Sequence, residues 1–221
     1  MSVRPIFPVL IYEHQGTQQE IFLVQDEIKK KLPLIEATDT FSNPPGWDDG
    51  VQTNIKSRYN TIEDFELVNL RKYIEKHVKQ YVEQSKAWHP APVSLQHSWI
   101  NKTSKGQKQD WHFHQDSTIS GTYYYQTTGN DGDFGLMNPV PWMQQEIFPV
   151  GQGVSKYAEI KPAVGKLILF PGWLQHCVYE NKTDSTRISI SWNLHRNHFV
   201  DTIKNQIIVD GWHAKINTER T

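Results

Sequence analysis

Apolar positions change their period once along the chain. Over residues 61–86, Phe65, Leu70, Tyr73, Ile74, Val78, Tyr81 and Val82 recur at helical spacing and predict one helix with a single apolar face. Thr61 and Asp64, a hydroxyl and an acid three residues apart, resemble a capping arrangement at its start. Upstream, Phe7 to Tyr12 reads as a strand and Gln18 to Lys31 as a helix, followed by a polar stretch with Gly and Pro from Asp39 to Asp49. From residue 93 the pattern shortens to VSLQHSWIN, DWHFH, ISGTYYYQ, DFGLM, KLILFP, HCVYEN and RISISWNLH, with Gly, Pro, Asn and Asp between the runs. Short β-branched and aromatic runs at such spacing predict an antiparallel sandwich or barrel, not a parallel α/β fold. The expectation is a mainly β fold in one domain over 1–221. It has a helical part at 1–92 packed against a jelly-roll core at 93–195, and a C-terminal extension at 196–221.

Composition narrows the setting. Hydrophobic residues make up 37% and aromatics 12% of 221 residues, enough for a sizeable core. A formal net charge of −1 removes the main electrostatic argument for nucleic-acid or anionic-membrane partners. The one cysteine, Cys177, excludes an internal disulfide and fits a reducing compartment. The start, MSVRPIFPVLIYEHQG, is broken by two prolines and lacks the apolar centre and cleavage site of a signal peptide. No run approaches 18 apolar residues. A cytoplasmic protein is expected.

The chemistry concentrates in two segments. In WHFHQD, strand alternation puts His112 and His114 on one face, and Asp116 follows two residues on. In KLILFPGWLQHCV, His176 comes just after an apolar strand and a Pro-Gly turn that Gly172 shapes. Two histidines and a carboxylate on one face of an octahedron form the open site of non-haem iron(II) oxygenases. The expected ligands are therefore His114, Asp116 and His176, with His112 as the alternate. Eleven residues after His176, Arg187 opens RISISWN, and alternation groups Arg187, Ser189, Ser191 and Asn193 on one face, opposite Ile188, Ile190 and Trp192. An arginine facing a β interior must meet an anion, and its planar fork matches a carboxylate. That anion is a bound ligand or a protein acid. An H-x-D pair alone is common by chance, whereas its union with a distal histidine and Arg-x-Ser is not. Tyr123 and Asn101 are expected to help hold a co-substrate, Trp142 to cover the site, and His195 and His198 to lie at the surface.

HFHQDSTISGTYYY resembles the motif H-x-H-…-S-x-x-S-G-x-Y-Y of a group of iron(II)- and 2-oxoglutarate-dependent oxygenases found in bacteria and phages. PAVGKLILFPGWLQHCVYEN…RISISWN is similar to that group's C-terminal half, and IFPVLIY to its start. The resemblance spans most of 5–195 and is strong over about 98–194. It implies a double-stranded β-helix core and metal ligands at His114, Asp116 and His176. It also implies a 2-oxoglutarate contact at Arg187 and Ser189, and oxidation of a peptide side chain or small molecule by dioxygen. Succinate and carbon dioxide would be released, with ascorbate as reductant in vitro. The group's emphasis on both histidines of H-x-H keeps His112 in play as a ligand or close contact. Two other classes stay open on the residues alone: a cupin-like metalloenzyme that uses no keto acid, and a jelly-roll binding module without catalysis.

Overall fold

A computed structural model describes residues 9–45, 50–85, 93–140, 156–196 and 206–207. The expected mainly β architecture is present. Strands β1 (Tyr12–Gln15), β2 (Gln52–Thr53), β3 (Val93–Thr103), β5 (Ile119–Gln126), β8 (Lys166–Pro171), β10 (Arg187–Arg196) and β11 (Gln206–Ile207) form a seven-stranded sheet in the order β1-β8-β5-β10-β3-β11, with β2 also paired to β3. Strands β4 (Gln109–His112), β9 (His176–Val178), β6 (Phe134–Met137) and β7 (Tyr157–Ile160) form a four-stranded sheet in the order β4-β9-β6-β7. All pairings within the two sheets are antiparallel. This is the jelly roll of a double-stranded β-helix.

The large sheet buries both faces, and alternation sorts its side chains. Tyr123, Leu167, Leu169, Ile190, Trp192 and Leu194 pack on the helices, against Ile28, Leu70, Ile74 and Val78. Tyr124, Ile168 and Phe170 face the small sheet and meet Phe134, Leu136 and Ile160.

Helix α1 (Gln18–Thr38) opens with a capping box in which Thr17 and Glu20 satisfy each other's free N–H groups. It runs a turn and more beyond the expected end at Lys31, through Pro33, because Val24, Ile28 and Ile35 are buried along one stripe. The expected helix over 61–86 is two: α2 (Thr61–Asp64) and α3 (Val68–Ser85). Asn60, not Thr61, caps α2, and Glu66 between the helices adopts φ 51°. The break is held from outside the segment. Glu27 of α1 accepts the N–H groups of Asn69 and Leu70 at 2.8 and 3.0 Å, capping α3 across the tertiary interface. The strand expected from Phe7 starts at Tyr12, and Phe7 itself lies outside the described residues. No helix among the described residues is long and apolar enough to cross a membrane.

Candidate metal centre

The space between the two sheets holds a polar pocket. Its lining includes His112, His114, His176, Trp99, Asn101, Thr103, Tyr124, Arg187, Ser189 and Ser191. Three strands build its floor in register. Ser189 pairs with Asn101 on β3 and Tyr124 on β5, and one step along, Ser191 pairs with Trp99 and Thr122. Arg187 pairs with Thr103.

At one end His112, His114 and His176 converge, with ring nitrogens mutually within 4.8 Å. His112 closes β4 directly opposite His176 on β9. Their ring centroids are 4.2 Å apart, and His114 lies 4.9 Å from His176. Each Nδ1 is engaged: His112 with the Asp110 carbonyl at 2.7 Å, His176 with the Leu174 carbonyl at 2.8 Å, His114 with Ser120 Oγ at 2.7 Å. A carbonyl can only accept, so Nδ1 carries the proton in His112 and His176 and Nε2 keeps its lone pair. Ser120 in turn donates to Asn193 Oδ1 at 2.8 Å or to Ser117 Oγ at 2.9 Å, which orients the His114 ring. Burial lowers the pKa of His114 to about 3, helped by His112, and holds His176 well below the usual histidine value. Both are therefore neutral at pH 7, the state a metal ligand requires. Three preset imidazole nitrogens in one cluster fit a divalent transition metal.

The structure places Asp116 elsewhere. Strand β4 ends at His112, so alternation no longer governs the residues beyond it, and a turn at 115–116 leaves Asp116 exposed and outside the cluster. His114 is held after the strand by its N–H, which donates to the Gly172 carbonyl at 2.8 Å. A Cβ on Gly172 would lie 2.2 Å from the Ser117 carbonyl oxygen, so only glycine lets the two loops cross here. Cys177, next after His176, points the opposite way, against Gly135, and burial pushes its thiol up to about 12.

At the pocket's other end Arg187 is 3% exposed. Its Nη1 donates to the carbonyls of Asp131 and Gly132 at 3.0 and 2.9 Å, and its Nη2 donates to Thr103 Oγ1 at 3.1 Å. A guanidinium has five N–H groups, so two remain for a ligand. No carboxylate among the described residues pairs with it, and burial lowers its pKa. A buried cation that meets only neutral acceptors is a site for an anion. The Asp131 side chain fixes the supporting loop by accepting from Thr127 Oγ1 and Thr128 N, both at 2.6 Å. Asn101 Oδ1 and Trp99 Nε1, both buried and without a hydrogen-bond partner among the described residues, belong to side chains that line the same pocket.

Tyr123 is not in the pocket. Its ring faces the helices, where its hydroxyl accepts from Gln25 at 3.2 Å, and its neighbour Tyr124 takes the inward position. Tyr124, Thr103 and Trp99 are among the lining residues that sequence reasoning did not assign to the site. The alternation that separates Tyr124 from Tyr123 was the available signal. His195 is half-buried. Trp142 and His198 lie outside the described residues.

Residues 97–193 match the model of a family described as "Putative 2OG-Fe(II) oxygenase". Solved structures share the fold. HygX from Streptomyces hygroscopicus, solved with nickel and 2-oxoglutarate bound, is 13% identical at a TM-score of 0.56, over 86% of this chain and 84% of that one. A Pseudomonas putida prolyl-4-hydroxylase is 14% identical at 0.55, over 85% and 92%. A prolyl hydroxylase from Trichoplax adhaerens, in complex with a hypoxia inducible factor peptide, is 13% identical at 0.58, over 84% and 83%. No curated protein matches the sequence. The family match covers the jelly-roll part of the chain, and the solved structures share its fold.

Proposed function

We propose that the chain is an iron(II)- and 2-oxoglutarate-dependent oxygenase that hydroxylates a peptide side chain or a small molecule, with its metal held by His112, His114 and His176 and its keto acid anchored by Arg187. The observation that carries the ligand set is the engagement of all three Nδ1 atoms, which leaves Nε2 of His112 and His176 as lone pairs in one cluster. Iron(II) with 2-oxoglutarate and dioxygen supplies the oxidation, releasing succinate and carbon dioxide.

The chain's own residues bind and orient. Three neutral imidazoles offset none of a divalent ion's charge, where Asp116 would offset one unit, so the anionic co-substrate carries more of the neutralisation. The two spare N–H groups of Arg187 suit a distal carboxylate, with Ser189, Asn101 and Tyr124 on the adjoining rung. Phe134 and Phe170 lie tilted against His176, at 5.5 and 4.6 Å between centroids, and make that side of the cluster apolar. Phe113 and Trp173 are about half exposed on the two segments joined by the His114–Gly172 hydrogen bond. They offer an apolar landing surface for substrate beside the metal. The single buried cysteine supports a cytoplasmic setting.

The test pairs anaerobic iron(II) titration with succinate release for wild type, His112→Ala and Asp116→Ala. The expected result is loss of tight iron binding and of turnover in His112→Ala, with iron affinity retained in Asp116→Ala. The reverse outcome would return the ligand set to His114, Asp116 and His176.

A further inference from the structure

A second convergence of ligand atoms lies on the helix-covered side of the large sheet, away from the pocket. His14 comes from β1, Glu20 from the first turn of α1 and His77 from α3, with one ligand atom of each within 4.8 Å of the others. The tautomer of His77 follows from its neighbours. Tyr12 donates its hydroxyl proton to Gln80 Oε1 at 2.6 Å, so toward His77 Nδ1, 2.9 Å away, the Tyr12 oxygen can only accept. Gln80 Oε1, at 3.2 Å from the same nitrogen, is also an acceptor. Nδ1 therefore carries the proton and Nε2 presents a lone pair.

That Nε2 is buried, has no hydrogen-bond partner among the described residues, and faces Glu20 Oε1 at 4.0 Å. His14 Nε2 is also buried without a partner, 3.6 Å from Glu20 Oε2. A histidine lone pair facing a carboxylate oxygen with no hydrogen between the two is unfavourable, and a cation bound to both would relieve it. Two ligands of one zinc ion, each about 2.0–2.2 Å from it, stand at most roughly 4.4 Å apart, and both separations meet that limit. The outer contacts are also in place: His77 Nδ1 is tied to Tyr12, and Glu20 Oε2 accepts from Thr17 N and Oγ1, each at 2.9 Å.

We propose that His14, Glu20 and His77 form a second metal site, which takes a divalent ion of the zinc type and pins β1 to α1 and α3. Lys76 is its built-in competitor. Its ammonium lies 2.6 Å from Glu20 Oε1 and is half exposed, so it neutralises Glu20 without metal and can swing into solvent when metal enters.

The experiment removes the first site and titrates the second. Full-length His112→Ala/His176→Ala protein, stripped with chelator, is titrated with cobalt(II), following its visible absorption and the melting temperature. The expected result is one bound equivalent and a raised melting temperature. Both should be lost when His14→Gln or Glu20→Gln is added. Gln at position 20 can keep the helix cap, so loss there reports on the ligand and not on folding. Lys76→Met should bind cobalt several-fold more tightly. No cobalt binding, or binding indifferent to both His14→Gln and Glu20→Gln, would overturn the proposal.

Discussion

Strand β10 shows two chemistries on one backbone. Toward the helices it presents Ile188, Ile190, Trp192 and Leu194, all buried among aliphatic and aromatic neighbours. Toward the small sheet it presents Arg187, Ser189 and Ser191, bordering a pocket. The first face is packed by the chain's own apolar side chains, with Trp192 Nε1 its one polar atom left without a partner among the described residues. The second face is incomplete, with two spare guanidinium N–H groups and an unpartnered Asn101 oxygen beside Ser189. Along β10, folding free energy thus comes largely from one face, and ligand-binding free energy is held on the other. Substitutions on the two faces should fail in different assays.

The largest effect should fall on the packed face. Trp192→Ala empties a site where the ring is 0% exposed and should cost about 3–5 kcal/mol of stability. In a denaturant titration the midpoint should drop steeply. An equal loss of 2-oxoglutarate affinity in protein that remains folded would erase the contrast. On the pocket face, Arg187→Ala should cost roughly 2–5 kcal/mol of 2-oxoglutarate binding with a small change in melting temperature. Arg187→Lys should rescue it only in part, since lysine lacks the planar fork. A large melting drop with unchanged 2-oxoglutarate affinity would make Arg187 a structural residue and favour a keto-acid-independent enzyme.

Acid should weaken both faces. The pKa of His114 is lowered to about 3 and that of His77 to about 4, in each case chiefly by burial. The unfolded histidines take up protons near pH 6.5 while the folded ones do not. Between pH 6.5 and about 4 the unfolded state therefore binds more protons, and stability falls as pH falls. The slope is about 1.4 kcal/mol per pH unit per histidine. Melting curves of metal-free protein from pH 7 to 4 should show this, and a flat profile would refute it. The smallest effect should follow Asp131→Asn, which loosens the loop whose carbonyls hold Arg187. It should weaken 2-oxoglutarate binding by about 1 kcal/mol with iron affinity unchanged. Isothermal titrations of both ligands would check the separation.

The same contrast explains what the sequence made legible. Wherever a regular period persisted, reading it worked. The faces of β10 and the jelly-roll class followed from alternation, and the apolar face of α3 from helical spacing. Reading failed where a distant residue intervenes. Nothing in TIEDFELVN reveals that Glu27, some forty residues earlier, caps a second helix at Asn69 and Leu70. Asp116 looked suitable while the strand was extended past His112, but the backbone turns there. His112 then meets His176 across the β4–β9 pairing, which only tertiary register discloses. Tyr123 was an error of side, since alternation offered both tyrosines and did not say which sheet face held the pocket.

Cys177 gives the site a margin against wear. It is the neighbour of His176 and the chain's single cysteine, so an oxygen-handling centre sits one residue from the side chain most easily damaged by peroxide. Damage starts from the thiolate, not the thiol. With its pKa pushed up to about 12 and its sulfur packed against Gly135, the group stays protonated and shielded. Stray oxidant leaking from turnover would reach exposed Trp173 and Phe113 first. Ageing of the protein should therefore begin at these two exposed aromatic rings and leave the β9 strand that carries His176 intact.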